Sequence, residues 1–496
     1  VTEKLAEKSA GNSEPDKATR VGRGLGWSLM STLALRIGNL LLSIVVARLV
    51  APEAYGVFAV ALTVWMLLSA LSEFGLGADL VRAKDPERRA PTVATLGAGI
   101  GVIAALSMFA GAPRIAAAFE SPGSTHTLVV MSLVPAMFGL TIVPAAMLQR
   151  AYRQRALFAV YAAGLVASAV VTVSLILLGA GASSLAWGQV ASQAVMLLAL
   201  HVVARHRPRF GFDRRLARES LSFSAPLAAA NLVSWMLITV DNLIVSRELT
   251  TVALGLYVLA FNVSSWPMSA VGQAVRVVAL PAFAETESEV ERNAGLVRCF
   301  GPLAVVATAM GVGLASLASP VVSVLFGDEW TAAAAALVGL SVFGASRVLL
   351  DLVATFLIAA GETRAVLVVQ LVWLATMVPA MVLGVRVWGL AGAGWAHVVV
   401  SVAVVVPAYA MALRRVGVDV AAIGRACVLP LVVAVPAALV CWAVGRADGP
   451  DLLLLALGGA AVVVFYLAPM WPWTRRRLHE LRNPLGDAEA VERNRG

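Results

Sequence analysis

The sequence predicts an all-α polytopic membrane protein of about fourteen transmembrane helices: two six-helix lobes in parallel repeat, plus two extra C-terminal helices. Three observations carry that expectation. Of 496 residues, 60% are hydrophobic and 14% charged, with a mean hydropathy of +0.85, too apolar for a soluble chain of this length. Apolar runs of about 20 residues, enough to cross a hydrocarbon core of about 30 Å, follow one another almost without pause. One pattern is also written twice. VARLVAPEAYGVFAVA (46–61) and VSRELTTVALGLYVLA (245–260) share Val46/Val245, Arg48/Arg247, Gly56/Gly255 and Ala61/Ala260, and Phe58 falls on Tyr257.

Residues 1–25 are polar and mixed in charge, and read as a cytoplasmic tail without the apolar core of a signal peptide. The N-lobe, 26–204, holds spans at 27–50, 57–78, 92–112, 126–148, 156–178 and 185–204. A basic cytoplasmic linker, 205–221, leads to the C-lobe, 222–413, with spans at 222–246, 252–275, 299–319, 331–360, 365–388 and 392–412. Segment 414–473 adds spans at 427–444 and 452–472, and 474–496 is a second cytoplasmic tail, basic enough to lie on an anionic leaflet.

With the N-terminus inside, 31 of the 38 lysines and arginines fall on the cytoplasmic side and five outside, while Arg36 and Arg347 sit within spans. A miscount of one span would invert every later loop, so this bias supports an even number and places both termini inside the plasma membrane. The net charge of +9 is divided among many short loops, which points to topology and not to nucleic acid. The three cysteines, Cys299, Cys427 and Cys441, are scattered and give neither a disulfide framework nor metal-ligand spacing. No metal and no cofactor is expected.

The repeat continues beyond its first match. LQRAYRQRALFAV (148–160) lies over LIAAGETRAVLVV (357–369), placing Arg155 on Arg364. LAWGQV (185–190) lies over AGWAHV (393–398), placing Trp187 on Trp395 and Gln189 on His397. Each copy holds an even number of spans, so both enter the membrane in the same direction, as parallel repeats do in transporters that work by alternating access about a site at the lobe interface.

No loop is long enough to form a soluble domain, so the chemistry belongs among the helices. Arg36 lies nine residues after Trp27, roughly 13 Å deep, and so needs a partner or a wet cavity. Arg347 and Asp351 share one face of span 10 at i, i+4. Asp241 lies six residues before Arg247, roughly 9 Å from the outer end. Glu73, Arg82 and Arg276 line the inner mouth.

Two readings stand for each group. Structurally, Arg347 pairs with Asp351, Arg36 with Glu73, Asp241 pairs locally, and Arg82 and Arg276 are positive-inside anchors. Functionally, Arg36, Arg347, Arg82 and Arg276 make a cationic lumen whose guanidinium forks match phosphate oxygens, while Asp241, Asp351 or Glu73 serves as a proton or sodium site. Gln149, Gln189, Gln193, Gln273, Gln370 and His397 read as interhelical hydrogen-bond glue.

Lys4, Lys8, Lys17 and Lys84 are the only lysines and none follows Gly, so the chain contains no Walker A motif and no ATP-driven pump of its own. An enzyme acting on lipid-linked sugars would need a large external acidic loop. Asp328 and Glu329 sit in a short one and read as solvated.

The runs ARLVAPEAYGVFAVALTV and SEFGLGADLVR, the segment LQRAYRQRALF and the stretch SFSAPLAAANLVSWMLITVDNLIVSREL resemble the polysaccharide (O-antigen type) flippase branch of the multidrug/oligosaccharidyl-lipid/polysaccharide exporter superfamily. The resemblance covers roughly residues 22–480. It implies a two-lobed helical bundle with a cationic cavity that moves an undecaprenyl-pyrophosphate-linked oligosaccharide from the inner to the outer leaflet. It makes membrane lipids and polysaccharide polymerase or assembly proteins the candidate partners. An ion-coupled small-molecule antiporter and a peptidoglycan-precursor flippase are the alternatives.

Overall fold

Continuous apolar runs leave the backbone no partner but itself inside a bilayer, and helices are the open-chain solution. The computed structural model of the chain describes residues 14–73, 75–205, 209–285 and 288–482, and among these it is helical with no strand. Glu14–Leu49 (α1), Pro52–Glu73 (α2), Leu76–Arg82 (α3), Pro86–Ala118 (α4), Ser124–Met131 (α5), Leu133–Arg150 (α6), Gln154–Leu177 (α7) and Ala182–Ala204 (α8) come first. Arg214–Glu248 (α9), Thr251–Glu285 (α10), Glu289–Ser316 (α11), Ala318–Phe326 (α12), Ala334–Ala359 (α13) and Thr363–Val400 (α14) follow. Val406–Arg415 (α15), Val420–Gly445 (α16), Asp451–Val462 (α17) and Ala468–Arg482 (α18) complete the order.

Eleven segments of the described chain are long and apolar enough to cross a membrane. One of them, Thr363–Arg415, runs for 53 residues, roughly 80 Å as a straight helix and far too long for one crossing. Gly389, at φ 56°, breaks it. The chain reverses there so tightly that a Cβ on Gly392 would lie 1.8 Å from the Gly384 carbonyl oxygen. Two further helices, α1 with 36 residues and α9 with 35, occupy the stretches expected as the first and seventh spans.

The chain divides into two compact units, 1–50 with 57–235, and 51–56 with 236–496. In the first unit, α4 packs on α6 through small residues: a Cβ on Gly139 would meet the Gly97 carbonyl oxygen at 2.2 Å. Small residues at such crossings replace the hydrophobic drive that lipid cannot supply. Leu76, Leu80, Val93, Ile142 and Val143 form a core beside this crossing. The middle of the linker is held on α4, where Gly211 N–H donates to the Pro91 carbonyl and the Thr95 hydroxyl donates to the Gly211 carbonyl at 2.9 Å. Residues 206–208 of the linker, and the tails 1–13 and 483–496, lie outside the described residues.

In the second unit, α11 packs on α16 and α18 around Val305, Ala309, Ala437, Tyr466 and Met470. The twin glycines of the repeat meet here. A Cβ on Gly255 would lie 2.2 Å from the Pro52 carbonyl oxygen and 2.9 Å from Gly56 N, and one on Gly56 would lie 1.9 Å from the Thr251 carbonyl oxygen. Only a residue without a side chain fits at either position.

Candidate functional site

Only Leu249 and Thr250 join α9 to α10. Asp241 is seven residues before the end of α9 and Tyr257 six residues after the start of α10, so both stand roughly 10 Å from the turn. His397 lies eight residues beyond the Gly389 reversal, roughly 12 Å along its helix. Three helices thus deliver three polar side chains to one depth.

All three are buried: Asp241 is 1% exposed, Tyr257 0% and His397 3%. The Tyr257 hydroxyl donates to Asp241 Oδ2 at 2.5 Å and lies 2.8 Å from His397 Nε2. A hydroxyl has one proton to donate and here it points to the carboxylate, which leaves the Tyr257 oxygen to accept from a His397 Nε2–H. Asp241 Oδ2 and His397 Nε2 are themselves 3.6 Å apart. Asp241 Oδ1 accepts the Asn242 N–H at 2.9 Å. Phe343 covers the imidazole with ring centroids 4.7 Å apart, and Phe261 lies 6.3 Å away on another side. A buried carboxylate is tolerated when such bonds replace its water. One bridging hydroxyl thus joins a carboxylate and an imidazole from three helices.

Along α13, Phe343, Arg347 and Asp351 follow at i, i+4 and i+8 on one face. Arg347 is therefore roughly 6 Å along the helix from the ring that covers His397. Arg347 and Asp351 are both half-buried. Arg347 is staggered from Asp351 by one turn, and the Thr355 hydroxyl donates to the Asp351 carbonyl at 2.7 Å. Above the buried cluster, Arg386 grips Glu248 through two bonds of 2.7 and 2.9 Å. That hydrogen bond from Arg386 holds the Glu248 carboxyl below its ordinary value of 4.5.

In the first unit, Arg36 is half-buried on α1. Arg82 is exposed at the end of α3, its guanidinium 3.6 Å from the centre of the Phe223 ring and 3.9 Å from Asp79. Asp79 is the buried member of a network that sequence reading passed over. It accepts from Ser220 Oγ at 2.7 Å and from Arg89 at 3.2 Å, and Arg89 also reaches Glu219 at 2.8 Å. Asp79 sits in the quoted run SEFGLGADLVR, but nothing local in that run distinguishes a buried carboxylate from an interfacial one. The helices carrying Glu73 and Arg276 form, but those two side chains lie outside the described residues. Asp328 and Glu329 are exposed, and Asp328 accepts from Ser323 at 3.0 Å.

Tyr257 and His397 were each visible as one half of a repeat pair, Phe58/Tyr257 and Gln189/His397. The signal that could have joined them to Asp241 was their common depth below the outer turns.

Comparison with known proteins places this architecture. The succinoglycan biosynthesis transport protein ExoT of Rhizobium meliloti is 29% identical over 317 residues, 63% of this chain and 64% of the relative. The match thus spans less than two thirds of that protein's length. The lipopolysaccharide biosynthesis protein WzxC of Escherichia coli is 22% identical over 402 residues, 79% of this chain and 81% of the relative. The structure of the lipid II flippase MurJ in an inward closed conformation superposes with a TM-score of 0.75 at 13% identity, covering 90% of this chain and 99% of that one, so the fold is shared. A family model described as polysaccharide biosynthesis protein matches residues 45–335, a stretch that contains the repeated glycines, Asp241 and Tyr257. With more than half of its length in that match, the chain is a multi-pass membrane protein of the polysaccharide biosynthesis protein family.

Proposed function

We propose that the protein is a flippase that moves a lipid-linked oligosaccharide, the repeat unit of a cell-surface polysaccharide on an undecaprenyl-pyrophosphate carrier, across the cytoplasmic membrane by alternating access. The observation that carries this reading is the fold shared with a lipid flippase over 90% of the chain, in a member of a polysaccharide family. On this reading the eleven apolar segments, the reversal at Gly389, α1 and α9 make fourteen crossings, with both termini cytoplasmic. The N-lobe is 26–204 and the C-lobe 222–413. Arg36, Arg82, Arg276 and Arg347 attract the pyrophosphate, whose oxygens a guanidinium binds bidentately.

The buried Asp241–Tyr257–His397 cluster supplies the coupling step. Exchanging a proton there changes the charge of a site that water does not screen, and so biases one conformation over another. Asp351 and Glu73 are the secondary candidates for that role. Polysaccharide polymerase or assembly proteins are the partners this reading expects.

Deleting the gene and extracting lipids tests the proposal. The expected result is accumulation of one polyprenyl-pyrophosphate-linked oligosaccharide, seen by mass spectrometry and lost on complementation. No accumulation, together with new sensitivity to cationic drugs, would favour the ion-coupled antiporter instead.

A further inference from the structure

Three helix ends in the second unit bring three arginines to one cavity. Arg298 lies on α11, Arg425 on α16 and Arg477 on α18, and together they line a cleft of about 280 Å³ whose floor includes Gly301, Ala422 and Ala426. Each arginine lies within a few residues of the end of an apolar span, and all three are at the end where the basic residues gather. Trp473 packs against Gly301, one of the lining residues. Its ring lies so close to Gly301 that a Cβ there would come within 2.7 Å, and the Arg477 guanidinium sits 5.5 Å over that ring. No carboxylate lines the cleft among the described residues. Beside it, Asp419 reaches Arg425 at 3.4 Å.

Three guanidinium groups line this one small cavity, and guanidinium groups favour phosphate oxygens. The volume lies near the bottom of the range for small-ligand clefts, enough for a headgroup and too little for an oligosaccharide. What lies beside the cleft identifies the source of the phosphate. Along α16, Val428, Val432, Val435 and Leu439 continue from Arg425 on one helical face, and they are 56%, 59%, 59% and 62% exposed. The basic cleft and this exposed apolar stripe thus share one helix.

We propose that Arg298, Arg425 and Arg477 form a binding site for the phosphate headgroup of an anionic glycerophospholipid, with an acyl chain laid along the exposed stripe of α16. The site is separate from the translocation chemistry above and does not depend on it. Basic pockets between transmembrane helices on the cytoplasmic side recognise anionic headgroups in this way.

The test uses the purified, delipidated full chain and native mass spectrometry after addition of phosphatidylglycerol or phosphatidylcholine. Phosphatidylglycerol should be retained selectively, and each of R298Q, R425Q and R477Q should weaken its retention about fivefold, the effect of one surface arginine on anionic lipid. R425Q keeps the test independent of folding, since that side chain is 76% exposed. Arg475→Gln, a neighbouring basic residue outside the cleft, should have less effect. Equal retention of the two lipids, or an Arg475→Gln effect as large as that of R425Q, would overturn the proposal. Release of phosphatidylglycerol by excess inorganic phosphate would assign the cleft to a soluble anion and overturn the lipid source.

Discussion

Replacing Tyr257 by Phe removes one oxygen and leaves the ring in place. That oxygen is bonded to Asp241 Oδ2 at 2.5 Å and to His397 Nε2 at 2.8 Å. Leaving each buried partner unsatisfied costs about 1–3 kcal/mol, so a rigid site would lose about 2–6 kcal/mol. The two partners are only 3.6 Å apart. A shift of about 0.7 Å brings them to normal hydrogen-bond distance, and recovers part of the loss. The expected net destabilisation is therefore about 1–3 kcal/mol. The assay is a double-mutant cycle with His397→Ala, read as unfolding midpoints in mixed micelles. A bridging hydroxyl predicts a coupling of at least about 0.5 kcal/mol, whereas independent sites add within about that amount. A Tyr257→Phe variant as stable as the parent, and additive with His397→Ala, would refute the bridged geometry. Asp241→Asn separates function from stability. It retains an acceptor for the hydroxyl, and should abolish pH-driven transport while leaving the midpoint nearly unchanged.

Gly255→Ala places a methyl 2.2 Å from a backbone oxygen that no rotamer change can move, so a loss of about 1–3 kcal/mol is expected in the same unfolding assay, and Gly56→Ala should behave alike. Arg36→Ala and Arg347→Ala should each abolish glycan export at unchanged expression, with Arg→Lys restoring only part; full export in both Ala variants would remove the cationic pathway. Because Glu248 titrates below 4.5 in the folded chain, its bond to Arg386 stabilises at neutral pH and is lost as pH falls through that lowered value. Wild type and Arg386→Gln should therefore differ in midpoint at pH 7 and converge in acid. Asp79→Ala strips the buried anion from Arg89 and Ser220, and should lower the protein yield and thermal midpoint more than Arg82→Ala, whose side chain is 61% exposed.

The helices were legible because bilayer physics writes them in the sequence. Each needs an uninterrupted apolar run, and the arginine bias then orders the loops. The twin glycines were legible as letters in a repeat, but not as a contact, because a repeat gives correspondence without distance. Asp241 was singled out because a carboxylate deep in an apolar helix demands an explanation. Its partners were not, since Tyr257 is sixteen residues away and His397 one hundred and fifty-six. Their convergence follows from two turns, at Leu249–Thr250 and at Gly389, whose depths must be measured together. Arg347 and Asp351 were legible as neighbours on one face of a helix. Their i, i+4 spacing permits a pair, but spacing on a helix fixes only where the side chains start. The tri-arginine cleft was hidden for a similar reason: Arg298, Arg425 and Arg477 each look like an ordinary positive-inside anchor until three helix ends are brought together.

Lipid translocation itself is measurable with the purified chain in sealed vesicles containing a polyprenyl-pyrophosphate oligosaccharide, by following how much glycan becomes accessible to a soluble glycosidase on the far side. The account predicts that wild-type protein exposes the glycan faster than protein-free vesicles, faster still under an imposed pH gradient, and that Asp241→Asn loses the gradient's effect. Folded wild-type protein that moves the glycan no faster than empty vesicles, with or without the gradient, would contradict it.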